Sequence, residues 1–293
     1  MVTNMEKNKK IQIYCLFAAA FILGLFGAAC LYLAVLGEYN DPMGYFSQDS
    51  VFAPTAYICM AAGPIFGIVA WVLFRKQEAC DKALPAGIIT KIASIICAAL
   101  IIFSAIADAL NRLNAATPDF GGKVIAFIAV SVLAAVSFIM NAFSKKDSAV
   151  SPMVSLLSFA PVIYCALSVL YLYFDQSVAV NSPSKFICQL TYLSFMLVFC
   201  AETGLSLGRG KLYPKYLFAL CCAVAIGGAG AVSSLLVTVT GASCAAFTGV
   251  EAFVKMGLFL YACVRFIGVA GVDVEASDES EFAEAVDAEV FEE

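Results

Sequence analysis

Residues 11–37 read IQIYCLFAAAFILGLFGAACLYLAVLG, an apolar run without one charged side chain. A helix rises about 1.5 Å per residue and a bilayer core is about 30 Å thick, so roughly 20 such residues cross it. The run exceeds the apolar core of a cleaved secretory signal, which spans about 7–15 residues, so it reads as a retained first span behind Lys7, Lys9 and Lys10.

The same pattern recurs along the chain. Apolar runs at about 11–36, 52–74, 87–109, 122–143, 152–174, 185–207, 215–240 and 245–268 give an all-α, polytopic integral membrane bundle of about eight transmembrane helices. Composition agrees: 62% of residues are hydrophobic, 13% are charged and the mean hydropathy is +0.92, far more apolar than a water-soluble domain. Several runs begin near Pro54, Pro85, Pro152, Pro183 or Pro214. Proline suits a first helical turn because its missing N–H breaks no bond there.

Basic residues set the orientation, since they are retained on the cytoplasmic side. With the N-terminus inside, cytoplasmic segments hold Lys7, Lys9, Lys10, Arg75, Lys76, Lys82, Lys145, Lys146, Arg209, Lys211, Lys215 and Arg265, against Arg112, Lys123 and Lys185 outside. That alternation predicts both termini in the cytoplasm, with 38–50 and 176–184 outside and 76–84 and 209–214 inside. Residues 1–271 form the bundle. Residues 272–293 hold 10 of the 22 acidic residues and no basic one, a composition expected of a disordered acidic tail that is free to meet a cytoplasmic protein partner. The absence of N-x-[ST] sequons suits a bacterial cytoplasmic membrane.

Composition also bounds the chemistry. The chain has 12 cysteines but no histidine and no C-x-x-C pair, so zinc-finger spacing, histidine-ligated metals and a histidine-activated nucleophile are excluded. Cysteines inside apolar runs read as small buried hydrophobes. Gly204-Leu205-Ser206-Leu207-Gly208 matches G-x-S-x-G, but without a histidine base it is a chance match. There is no phosphate-binding G-x-x-x-x-G-K-[ST] loop and no G-x-G-D or D-x-x-x-D motif. No enzyme activity, cofactor, metal or nucleic-acid partner is expected; the partner is the lipid bilayer.

Small residues allow close helix approach in lipid. Gly63-x-x-x-Gly67, the Ala20, Gly24, Ala28 series and Gly227 within the 226–231 run mark candidate packing surfaces. Pro64 and Pro161 fall mid-span and are candidate hinges. Their placement suits an inverted repeat of spans 1–3 and 4–6, although the side chains of the two halves are not similar.

Charge inside the membrane costs about 2.5–3.5 kcal/mol per Lys or Asp near a helix centre, so it marks function. Glu251 and Lys255 lie one turn apart on one face of the last span, by count about 9 and 15 Å deep. They either neutralise one another or form an ion or substrate site. Glu202 shares a stripe with Thr191, Ser194, Ser206 and Arg209. Arg209 is its expected partner if the carboxylate reaches for the cytoplasmic surface. Asp108 ends a third stripe of Thr90, Cys97, Ser104 and Asn111. The functional expectation is a secondary transporter or permease for a small solute or ion, with Glu251, Lys255, Glu202, Asp108, Thr191 and Ser194 as coupling or substrate groups. The alternative is a non-transporting sensor or assembly subunit acting through the acidic tail.

Overall fold

A computed structural model describes residues 2–40, 44–79, 87–113, 122–143, 156–175, 179, 181–244, 246–247, 249–270 and 274–276. Its helices are α1 (Val2–Glu38), α2 (Phe52–Phe74), α3 (Ile88–Leu113), α4 (Gly122–Phe143), α5 (Ala160–Phe174), α6 (Pro183–Ser206), α7 (Tyr213–Cys222), α8 (Gly228–Thr240) and α9 (Glu251–Val269). A π turn, Ala223–Gly227, joins α7 to α8 into one rod, with a 3-10 turn, Gly210–Leu212, ahead of it. Seven of the resulting segments are long and apolar enough to cross a membrane, and α5 is a shorter apolar helix. The protein is a multi-pass membrane chain.

The two ends of the bundle are told apart by two small ladders. At one end β1 (Tyr39–Asn40) pairs antiparallel with β2 (Tyr45–Phe46) across a turn at Gly44, whose φ of 74° suits glycine. Ser182 donates to the Gly44 carbonyl and the Tyr39 and Ser184 hydroxyls lie 3.2 Å apart, which ties this hairpin to the start of α6. At the other end β3 (Gln77–Ala79) pairs antiparallel with β4 (Val274–Ala276). A Cβ at Gly210 would lie 2.5 Å from the Ala79 carbonyl oxygen, so the 3-10 turn packs directly under β3.

Within the segment expected to be an acidic tail, Val274–Ala276 pair as a strand with the segment after α2. Residues 277–293 lie outside the described residues.

Two spans differ from their predicted bounds. The fifth is interrupted: residues 156–157 are helical, 158–159 form a turn, and α5 then runs for 15 residues that rise only about 22 Å, while 152–155 lie outside the described residues. Its ends nonetheless meet both ends of α6, because Thr203 donates to the Ser158 carbonyl at 3.0 Å and Lys185 donates to the Asp175 carbonyl. Pro161 sits in the first turn of α5, directly after the 158–159 turn, where its missing N–H costs no bond. Pro64 does lie inside α2, so the two prolines are not equivalent and lend no support to an inverted repeat.

The eighth span begins at Glu251, not 245. The described residues between the last two spans, 241–244, 246–247 and 249–250, form a loop in which Gly241 (φ 68°) and Gly249 (φ 106°) lie in the left-handed region. This loop folds inward: Cys244 and Phe247 are buried, and Cys188 donates to the Ala246 carbonyl at 3.1 Å. Irregular backbone at such a level is tolerated only inside protein.

The centre of the bundle is the π turn. A Cβ at Gly24 of α1 would come within 2.6 Å of the Val224 carbonyl oxygen, and one at Gly63 of α2 within 2.9 Å of the Ala225 methyl. On the other side Gly227 meets the Phe195 ring of α6, and Gly228 meets Phe259 of α9. The run Ala-Val-Ala-Ile-Gly has little side-chain bulk, which lets four helices close on one rod.

Candidate functional site

Helices α6 and α9 carry nearly all of the buried charge, and they bring it together at two levels. Toward the β3–β4 end, Tyr261 and Arg265 lie one turn apart on α9 and face Glu202 of α6. The Tyr261 hydroxyl donates to Glu202 Oε1 at 2.7 Å, and Arg265 Nε donates to Tyr261 Oη at 2.9 Å. Arg265 Nη2 closes the triangle as an ion pair on the same Glu202 oxygen. Arg265 is only 6% exposed, and the rings of Phe138 and Phe199 flank Tyr261 with centroids 5.2 and 5.8 Å away. The partner of Glu202 is thus Arg265 and not Arg209, which is exposed. Helix geometry supplies the reason: Glu202 points into the α9 contact, while Arg209 lies past the end of α6.

The pair is end-on. Glu202 Oε2, Arg265 Nη1 and the hydroxyl of Tyr216 on α7 are buried and have no hydrogen-bond partner among the described residues. Tyr216 is 0% exposed and lies in the electrostatic field of Glu202, Arg265 and Tyr261.

Toward the β1–β2 end, Lys255 of α9 is 1% exposed. Its ammonium does not close on Glu251. It donates to Cys188 Sγ at 3.2 Å and lies 5.6 Å from the centre of the Tyr192 ring. Cys188 is five residues into α6, so this level is about 8 Å along the helix from its start, shallower than counting from 245 predicts. Glu251 opens α9, where the helix dipole favours a carboxylate. Asp108 from the end of α3 and Asp175 after α5 both act on Glu251 electrostatically, as does Lys255. Glu251 therefore lies in the electrostatic field of two carboxylates from other elements and of the buried lysine.

The remaining polar residues of α6 do different work. Thr191 donates back to the Ile187 carbonyl at 2.9 Å and Ser194 to the Thr191 carbonyl at 2.7 Å. Both face the glycines of the central rod: a Cβ at Gly230 would collide with Thr191, and one at Gly227 would come 3.1 Å from Ser194 Oγ. Gly67 of α2 receives the Phe218 ring. In α3, Thr90, Cys97 and Ser104 are buried, and Cys97 donates to the Gly257 carbonyl of α9 at 3.1 Å, while Asn111 is exposed. Lys91 is exposed on the flank.

Sequence reading missed Cys188, Tyr192, Tyr216 and Tyr261, and counted Arg265 with the cytoplasmic loops. The spacing of Tyr261 and Arg265, one turn apart on the Glu251–Lys255 helix, is the one signal that pointed to them. Cys188 carried none, being one apolar-run cysteine among many; nine of the eleven described cysteines are buried and free. No cluster of metal-binding side chains occurs among the described residues. No protein-family model, curated protein or solved structure matches the chain.

Proposed function

We propose that the chain crosses a bacterial cytoplasmic membrane eight times, with both termini and the β3–β4 end inside, and acts as a secondary transporter for a small solute or ion. Support for the crossing count comes from α5, whose ends meet both ends of α6, and from the ladder, which needs 77–79 and 274–276 at one end. An even number of passes between them satisfies that need.

The observation that carries the transport reading is buried charge at two levels of one helix interface. The Lys255 and Arg265 levels are about 15 Å apart along α9. A scaffold has no need of either, since each costs desolvation. In this reading Glu251 and Lys255, fed by the outer carboxylates, exchange the coupling ion, and the Glu202–Arg265 level meets the solute. The π turn between them, against which α1, α2 and α6 pack, is the type of irregularity that recurs at functional sites.

The test is solid-supported-membrane electrophysiology on proteoliposomes, scanning pools of small solutes with and without an inward pH gradient. A pool-dependent current that rises with the gradient and vanishes in Glu251→Gln is expected. Silence across all pools, with folded and correctly inserted protein, overturns the transport reading.

The sensor or assembly reading is favoured by one feature, the β3–β4 ladder, which ties the base of the acidic tail to the bundle. Recovery of a stoichiometric protein partner that depends on 277–293, alongside electrical silence, would establish it.

A further inference from the structure

We infer that the Glu202–Arg265 level is a recognition site for a small zwitterion of the free amino-acid class, an inference that rests on the transport reading and specifies its solute. The argument begins with the end-on pair. Guanidinium and carboxylate commonly meet through two parallel hydrogen bonds, which uses both oxygens. Here Glu202 Oε1 takes both the Tyr261 and the Arg265 bonds, so Glu202 Oε2 and Arg265 Nη1 are left buried without a hydrogen-bond partner among the described residues.

The unpartnered atoms define a complementary ligand. Glu202 Oε2 accepts, Arg265 Nη1 donates and the Tyr216 hydroxyl does either, all three in buried surroundings. Unpaired polar groups in such a place are costly, so a ligand that satisfies them is bound strongly. The pair is neutral as a whole, so a ligand of net charge would leave one charge unmatched. A ligand with an ammonium and a carboxylate on adjacent carbons offers the ammonium to Glu202 and the carboxylate to Arg265, in alternating sign. Charge-assisted bonds at both ends are about twice as strong as those a neutral amide makes, which favours the zwitterion over amides and polyols. The Phe138, Phe199 and Tyr261 rings beside the pair suit an apolar side chain over a charged one.

The experiment uses the full chain in lipid nanodiscs, with thermal unfolding and isothermal titration as readouts. The probes are leucine, phenylalanine and lysine, with N-acetyl-leucine (no ammonium) and leucinamide (no carboxylate) as controls. Leucine or phenylalanine should raise the unfolding temperature saturably, with both controls at least tenfold weaker and lysine weaker than leucine. Tyr216→Phe leaves the ion pair intact and should weaken leucine binding severalfold without lowering the stability of the free protein. The double variant Glu202→Gln with Arg265→Gln, which strands no charge, should abolish it. If none of the amino acids binds to the folded protein, or if the controls bind as well as leucine, the inference is overturned. Binding without any transport current sinks the transport reading and keeps the site. Currents with other solutes but no amino-acid binding sink the site and keep transport.

Discussion

The two charged levels of the α6–α9 interface use the same pair of helices and opposite solutions. At the Arg265 level the charges touch: Glu202, Tyr261 and Arg265 close a hydrogen-bonded triangle. At the Lys255 level they stand apart, and a buried ammonium rests on a thiol and a ring while its carboxylate neighbour sits at the helix start. In a closed ion pair the members depend on one another, because removing either strands the other. The ammonium there has a sulfur as its hydrogen-bond acceptor and a ring face beside it, with no carboxylate in contact among the described residues. In the proposed transport reading the first arrangement serves recognition and the second exchange.

The largest expected effect breaks the closed level. Glu202→Gln or Arg265→Gln alone should cost about 3–5 kcal/mol of stability, because each leaves an uncompensated buried charge. The double variant should recover most of that loss, as read by thermal unfolding in nanodiscs. Single variants no worse than the double would mean that the pair is hydrated and the contrast with Lys255 is false.

Next comes the crossing that keeps the levels at fixed separation. Gly24→Val drives a side chain into the Val224 backbone carbonyl, which has no rotamer by which to yield. Overpacking of this kind costs about 1–3 kcal/mol. Gly37→Val, at a glycine with open space around it, should be near neutral in the same assay. Equal losses at the two positions would show that the π turn is not tightly clasped.

Lys255→Met should behave opposite to Arg265→Gln: the protein should be at least as stable as the parent, because the change removes an ammonium and strands no contact ion pair. A loss comparable to that of Arg265→Gln would reveal strong pairing with the outer carboxylates. Glu251→Gln should likewise leave the unfolding temperature nearly unchanged while removing the gradient-dependent current.

The smallest effect concerns the tail. Truncation after Ala276 should leave stability unaltered, while truncation after Ala270 removes the β4 ladder bonds and should cost about 1 kcal/mol or less. A larger loss on cutting after Ala276 would give the acidic segment a share in the fold.

Local composition was enough for the sequence to determine the solvent and the helices. Runs such as 52–74 and 122–143 coincide with α2 and α4, because apolar length against bilayer thickness is a one-dimensional constraint. The glycines of α2 and of the 226–231 run were also legible, since close approach needs small residues whatever the partner. Other features depended on what faces what. Pro161 reads the same mid-span or in a first turn until the helix start is known. The stretch 241–250 is apolar enough to pass for helix, yet its Cys244 and Phe247 are buried in a loop. Glu251 and Lys255 share a helix face by spacing, but the buried Sγ of Cys188 on another helix draws the ammonium away. Glu202 took its partner from a helix that starts 49 positions later in the chain, not from its own stripe. Helix geometry fixes which side chains share a face, and only packing in three dimensions decides which faces meet.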